Sequence, residues 1–360
     1  MSDIQNQNKK IQVLIVDDSA VVRKLIATVI ARQLDMEVMG SAVNGLLATE
    51  FVQQTPPDVV LLDVEMPVMD GIEALKTIRK FDAHIPIIIF SSLTQKGAST
   101  TIQALTSGAS DYLPKPANMG DLEQAMMSVE KLLVPKIRNL HSRKSSALTV
   151  NKSVGSEAAT VPINRGALGQ NKVQALCIGV STGGPAALMQ LFEQWKAPLK
   201  VPIFIVQHMP PKFTEFLATR LSEIGCMTVE EPYDGQIAMP GMAYLAPGGM
   251  HMALVKEGMQ VVIQLNDGPL ENSCKPAVDV LFRTAAQVYG SGLLAVILTG
   301  MGSDGLKGAY EIEKNRGSII AQDEESSVVW GMPGAIVKAN LANAVFPLDE
   351  ISREIEKLTC

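Results

Sequence analysis

Aromatic residues are scarce. Phe, Trp and Tyr make up 4% of the 360 residues, too few for the stacking platforms that bind single-stranded nucleic acid. A basic excess is missing too. The formal net charge is −6, whereas a domain that grips duplex DNA normally shows a basic face; no nucleic-acid partner is expected. Cysteine is sparse and scattered. Cys177, Cys226, Cys274 and Cys360 form no CxxC pair, so reduced thiols are expected rather than a disulfide framework. No apolar run is long. Ile85–Phe90 and Val201–Val206 are of strand length, far short of the ~20 residues of a membrane helix. The opening MSDIQNQNKK is polar and does not read as a secretory signal. A cytoplasmic protein, not inserted in a membrane, is expected.

What is present is enough apolar side chain for real cores. Hydrophobic residues are 47% and charged residues 19% of the chain, which excludes global disorder, and the length suits two domains. Strand-like runs recur, each followed by a Gly- or Asp-rich turn and a helical stretch. Ile11–Val16 leads into Asp17-Asp18-Ser19 and the amphipathic Ala20–Leu34; Val59–Leu62 ends at Asp63; Pro86–Phe90 ends at Ser91-Ser92; Asp111–Leu113 ends at Pro114-Lys115-Pro116. The runs are apolar throughout, as in parallel strands covered on both faces. Residues 135–172 lose hydrophobic period and carry seven Lys or Arg against one Glu. They read as a polar, flexible linker between residues 1–134 and 173–360. A second βα series starts at Ala175–Val180 and continues through Ile203–Gln207, Leu293–Leu298 and Ser318–Ala321. Met250–Val255 and Val261–Leu265, separated by Lys256-Glu257-Gly258, read as a hairpin. The expected fold class is therefore α/β in both domains, the second doubly wound and mostly parallel with a β-hairpin added.

In a parallel α/β sheet, sites form beyond the carboxyl ends of the strands. In the first domain those ends carry Asp17 and Asp18, then Asp63, Ser91 and Lys115. Three carboxylates gathered there would repel unless a cation joined them, and a hard divalent ion such as Mg²⁺ suits such a cup. A carboxylate beside that ion can accept a phosphoryl group, with Lys115 neutralising charge on the transferring oxygens. Taken singly, each motif has a plain structural reading, Asp17-Asp18-Ser19 as a helix cap foremost.

In the second domain, Ala175–Val180 runs straight into Ser181-Thr182-Gly183-Gly184-Pro185. A phosphate-binding glycine loop fails here. Ser181 breaks the dinucleotide pattern, and Pro185 and Ala186 stand where a Walker A motif needs Lys and Ser or Thr. The segment does satisfy GxSxG, a nucleophile on a tight strand-to-helix turn. The next strand ends at His208, the best-placed base among four histidines; His84 and His141 fall in the first domain and linker, and His251 begins a hairpin strand. Leu293–Leu298 leads into a glycine-rich turn holding Asp304, where the orienting acid of a serine hydrolase is needed. A zinc hydrolase would need HExxH or paired histidines, and the sequence has neither.

The first set of motifs, DDS at 17–19, LLDVEMPVMDG at 61–71, FSSL at 90–93 and DYLPKP at 111–116, resembles the receiver domain of two-component response regulators over about residues 10–130. The resemblance implies a (βα)5, flavodoxin-like fold. It makes Asp63 the phosphoacceptor, with Mg²⁺ held by Asp17, Asp18, Asp63 and the Glu65 backbone carbonyl. It makes Ser91, Tyr112 and Lys115 the switch residues and the Lys115–Pro116 bond cis. The second set, IGVSTGGP at 178–185, VQHMPPKFT at 206–214, KPAVDVLFRTAA at 275–286, LTGMGSDG at 298–305 and VVWGMPGA at 328–335, resembles the protein-glutamate methylesterases of bacterial chemotaxis over about residues 173–355. That resemblance implies catalysis by Ser181, His208 and Asp304, with Thr182 and Met301 supporting the oxyanion and no cofactor for the esterase. It implies hydrolysis of glutamate methyl esters on methyl-accepting chemoreceptors, deamidation of selected glutamines and a chemotaxis histidine kinase as phosphodonor; separately, a monomeric protein is expected. The receiver is expected to restrain the esterase until phosphorylated. Ser303 and Cys274 depart from the family pattern and are expected to lie clear of the chemistry. A response regulator whose C-terminal domain only binds a partner is the alternative, and labelling of Ser181 by a serine-directed probe separates the two.

Overall fold

The structure, a computed structural model, describes residues 10–116, 122–150 and 171–359, with the backbone alone at 122 and 143–150. The chain divides into two compact units, Met1–Ser156 and Glu157–Cys360. No helix among the described residues is long and apolar enough to cross a membrane.

The first unit alternates strand and helix five times: β1 (Ile11–Val16), α1 (Ala20–Ala31), β2 (Met36–Ala42), α2 (Gly45–Gln54), β3 (Val59–Asp63), α3 (Gly71–Phe81), β4 (Ile87–Ser91), α4 (Gln95–Thr106), β5 (Asp111–Pro114) and α5 (Leu122–Val150). All strands are parallel, in the order β2-β1-β3-β4-β5. Every residue of β3 and β4 is buried, which is why these runs are apolar rather than alternating. Four helix starts are closed by the preceding polar side chain. Ser19, Asn44, Asp70 and Thr94 accept from Val22, Leu47, Glu73 and Gly97 N–H respectively. Because Ser19 caps α1, Asp17 and Asp18 are left for other work.

The linker expected from residue 135 does not begin there. α5 runs through Pro135 to Val150. Leu133, Val134, Ile137 and Leu140 form a buried stripe at helical spacing, and Arg138 reaches Asp35 through two hydrogen bonds of 2.8 and 2.9 Å. Few apolar residues suffice for a helix when they fall on one face. Residues 151–170, the remainder of the expected tether apart from its last two, lie outside the described residues.

The second unit comprises β6 (Ala175–Val180), α6 (Gly184–Gln194), β7 (Ile203–Gln207), α7 (Phe213–Ile224), β8 (Thr228–Glu230), β9 (Gln236–Ile237), β10 (Met242–Leu245), β11 (His251–Glu257), β12 (Gln260–Asn266), α8 (Val278–Tyr289), β13 (Leu293–Ile297), α9 (Leu306–Lys314), β14 (Ser318–Gln322), α10 (Met332–Lys338), β15 (Ala344–Phe346) and α11 (Leu348–Thr359). Seven strands make one parallel sheet, β15-β14-β13-β6-β7-β10-β8. The expected hairpin is β11–β12, and β9 joins it to form a separate three-stranded antiparallel sheet. Phe204 stacks on Tyr244 at 5.7 Å within the core, and Leu281 and Phe282 of α8 belong to the same cluster.

Strand order fixes where a site can be. The chain enters the second sheet at β6 and builds outward on one side through β7 and on the other through β13. The connections diverge there, opening a crevice beyond the carboxyl ends of the central strands. In the first sheet the corresponding break lies between β1 and β3.

Candidate active site

Three loops leave the central strands of the second sheet on the same rim. Ser181 directly follows β6, His208 directly follows β7, and the loop after β13 carries Asp304. Ser181 Oγ lies 3.1 Å from His208 Nδ1, and His208 Nε2 lies 2.7 Å from Asp304 Oδ2. An ionised Asp304 requires the proton on Nε2, which leaves Nδ1 as the atom that can accept the serine proton.

The turn is as tight as the nucleophile reading needs. Gly183 takes φ 76, a left-handed conformation, and α6 starts at the next residue. Gly300 backs onto the serine so closely that a Cβ there would stand 2.9 Å from Ser181 Cβ. Buried polar contacts lock the loops together. The Ser181 N–H donates to Thr299 O (3.0 Å) and Gly300 N–H to Val329 O (2.9 Å). The Gln207 amide donates to both the Ser181 and His208 carbonyls, at 3.0 and 3.3 Å. Thr299 Oγ1 donates to Thr182 O (2.9 Å) and its N–H to Gln322 Oε1 (2.7 Å).

Asp304 is 3% exposed and saturated with donors. Oδ1 accepts from Asn272 Nδ2 (2.7 Å), Asp279 N (3.1 Å) and Gly305 N (3.0 Å); Oδ2 accepts from Val278 N (2.7 Å) besides His208. Burial disfavours its charge. The His208 hydrogen bond and charge, with the Val278 and Asp279 N–H groups, outweigh burial and hold its pKa below the ordinary carboxylate value. Burial likewise disfavours the His208 imidazolium, yet Asp304 and Cys274 together push its pKa up to about 9.

Cys274 contradicts its expected distance from the chemistry. Its Sγ lies 3.6 Å from His208 Nδ1, the nitrogen that faces Ser181. The reason is a tight turn, Glu271–Cys274, that the sequence did not flag. Sequence reasoning also missed Gln207, Asn272, Asp279, Thr299 and Gln322. Gln207 and Thr299 occupy strand-end positions, a signal that could have drawn attention to them. Gln322 ends β14 and carries the same signal, whereas Asn272 carries none.

In the first unit, Asp17, Asp18 and Asp63 present carboxylate oxygens within 4.8 Å of one another. Lys115 Nζ stands 2.8 Å from Asp17 Oδ2 and 2.7 Å from Asp63 Oδ2. Burial raises the Asp63 pKa, Lys115 opposes it, and Asp17 adds to it. Asp17 Oδ2, although paired in charge with Lys115, is buried without a properly aligned hydrogen bond. An all-oxygen donor set with an unsatisfied carboxylate oxygen fits a hard divalent cation. Glu65 N–H donates to Asp63 Oδ1 at 3.3 Å. The Ser91 hydroxyl donates to Gly97 O in α4 at 3.0 Å, and Tyr112 is buried. The cis bond expected at Lys115–Pro116 is not found; the cis X–Pro bond among the described residues is Lys275–Pro276. A trans preference of only about 0.5–1 kcal/mol leaves the isomer to tertiary context.

Comparison with known proteins agrees with both halves. Residues 176–355 match the CheB methylesterase family and residues 13–127 the response regulator receiver domain. A protein-glutamate methylesterase/protein-glutamine glutaminase of Trichodesmium erythraeum (strain IMS101) is 46% identical over 346 residues, covering 96% of this chain and 98% of that protein. A protein of the same name from Nocardioides sp. (strain ATCC BAA-499 / JS614) is 46% identical over 348 residues, 96% of this chain and 94% of that one. The crystal structure of the Thermotoga maritima CheB methylesterase catalytic domain superposes with a TM-score of 0.51 at 39% identity, covering 52% of this chain and all of that one. With a receiver domain matched at residues 13–127 and a methylesterase domain at 176–355, the chain belongs to the CheB methylesterase family.

Proposed function

We propose that the protein is a cytoplasmic protein-glutamate methylesterase and protein-glutamine glutaminase, acting on chemoreceptors and activated by phosphorylation of Asp63 by a chemotaxis histidine kinase. The observation that carries the reading is the hydrogen-bonded sequence Ser181–His208–Asp304 at the crevice of the parallel sheet.

Ser181 Oγ attacks the carbonyl carbon of a methylated glutamate as its proton passes to His208 Nδ1. Asp304 holds the ring with Nε2 protonated and stabilises the imidazolium that forms. The oxyanion is met by backbone N–H groups of the Thr182 and Met301 segments; the Ser181 and Gly300 N–H groups are already committed within the protein. His208 returns the proton to the departing methoxide, methanol leaves, and water activated by the same nitrogen hydrolyses the acyl-enzyme to glutamate. A glutamine side chain follows the same course with ammonia departing.

In the receiver, Asp17, Asp18 and Asp63 would hold Mg²⁺, joined by the Glu65 carbonyl, and the ion would neutralise charge on an incoming phosphoryl group. Lys115, bonded to Asp63 at 2.7 Å, is placed to pair with the phosphoryl oxygens after transfer. Ser91 and Tyr112 would then reorient as the switch.

The test is methanol release from methylated receptor with and without a small phosphodonor. The wild-type protein should release methanol faster with the phosphodonor, Asp63→Asn should lose the increment, and Ser181→Ala should release none. Near-normal release by Ser181→Ala would exclude the mechanism.

A further inference from the structure

Helices α8 and α9 of the catalytic domain begin without a capping side chain of their own. α8 is preceded by Ala277 and α9 by Gly305, and neither residue makes a side-chain cap. Each helix is capped instead from the other. Asp304, beside the start of α9, accepts from Val278 and Asp279 N–H at the start of α8. Asp279, in the first turn of α8, accepts from Gly308 N–H in the first turn of α9 at 2.7 Å. The acid of the triad is therefore half of a reciprocal cap.

That exchange brings together two carboxylates that are 1% and 3% exposed. Like charges so placed disfavour each other's ionisation. Burial pushes the Asp279 pKa up, and the Asp304 charge pushes it the same way. One neutral group stands between them. Asn272 Nδ2 donates to Asp279 Oδ2 and to Asp304 Oδ1, each at 2.7 Å. An amide serves both carboxylates with its two N–H bonds and adds no charge.

The turn that delivers this amide is fixed at both ends. Glu271 and Cys274 exchange backbone hydrogen bonds of 3.1 and 2.9 Å. Asn272 and Ser273 between them take φ 51 and 63, the two left-handed positions of a type I′ turn. Asn is among the few side chains that tolerate this region. Glu271 is clamped to α8 by a two-pronged pair with Arg283, at 2.7 and 2.9 Å.

We propose that Asn272 is a positioning residue of the esterase, holding Asp304 in the rotamer that offers Oδ2 to His208 and separating it from Asp279. The inference rests on the Ser181–His208–Asp304 reading of the site. Asn272 touches no reacting atom and acts through the acid. The charged and titratable groups around the pair are His208 from the end of β7, Glu271 and Cys274 from the turn, Asp279 and Arg283 from α8, and Lys307 from α9.

Asn272→Gly and Asn272→Asp in the full-length chain test it. Both residues tolerate a positive φ; the first removes the amide and the second replaces it with a third carboxylate of the same shape. Methanol release from methylated receptor is measured as kcat and KM between about pH 6 and 10, with thermal melts alongside. Both variants should lose kcat by about tenfold to a hundredfold at unchanged KM. In Asn272→Asp the rising limb of the pH profile should also move to higher pH, because added negative charge holds the imidazolium proton more tightly. The proposal is overturned if kcat and the pH profile of both variants stay within about twofold of wild type. It is equally overturned if activity falls only in proportion to folded protein with the pH limb unmoved. A wild-type protein that releases no methanol, or a Ser181→Ala variant that does, sinks the esterase reading itself and Asn272's role with it. An active wild type beside unaltered Asn272 variants sinks the positioning role alone.

Discussion

Replacing Asp304 with Asn separates geometry from charge at the triad. Asp304 accepts from Asn272, Asp279 and Gly305 at Oδ1 and from Val278 and His208 at Oδ2. An amide oxygen is best kept at Oδ1, where three donors converge, so the new NH₂ falls at the Oδ2 position. It then faces the Val278 N–H and donates to His208 Nε2. His208 must accept there and carry its proton on Nδ1, where Ser181 needs an acceptor. The base is held in the wrong tautomer, and kcat should fall by about 10³–10⁴, or ~4–5.5 kcal/mol of barrier. The Val278 N–H at the start of α8 loses its acceptor inside the protein, which costs about 1–3 kcal/mol of stability. The measurements are methanol release at saturating receptor and the midpoint of urea unfolding. A drop in kcat of less than about tenfold in a variant as stable as wild type would refute both the tautomer argument and the shared cap.

The neutral imidazole is the form that can act as base, and the His208 pKa is pushed up to about 9, so kcat/KM should rise from neutral pH, reach half its maximum near that value and level off above it; a plateau already reached by about pH 7 would contradict the pairing with Asp304. Stability should run the other way. The folded His208 pKa stands above the ordinary 6.5, so its pair with Asp304 stabilises fully below that value and is lost as pH climbs through about 9, which thermal melts across the range would record. Cys274→Ala removes one group that raises the His208 pKa, so the rising limb should move to lower pH and the rate near pH 7 increase; a limb that stays put means the thiol does not bear on the base. Chelation of divalent ions by EDTA should abolish phosphoryl transfer from a small phosphodonor to Asp63 and leave unstimulated methanol release intact, as expected if the carboxylate cup, and not the esterase, uses the metal.

Both pockets were legible in the sequence for one physical reason. A strand buried on both faces is a continuous apolar run, and the first polar residue after it sits on the rim where parallel sheets bind and react. Asp63 and Ser181 each follow such a run directly, His208 follows one after the single polar Gln207, and all three lie at the carboxyl ends of their strands. Residues 135–150 were misread for the opposite reason. Their composition is polar, but Ile137 and Leu140 extend the buried stripe set by Leu133 and Val134, and the helix runs on through them.

The sequence by itself determined the two α/β units, the strand ends and the residue types that could react there, because these follow from local patterns along the chain. It could not tell which nitrogen of His208 faces Ser181, that Cys274 stands beside that nitrogen, or that Asp279 and Asp304 cap each other's helices across Asn272. Those depend on where a tight turn more than sixty residues past His208 and about thirty before Asp304 comes to rest. Only packing of α8 against α9 and the central strands fixes that position, and no spacing in the chain encodes it.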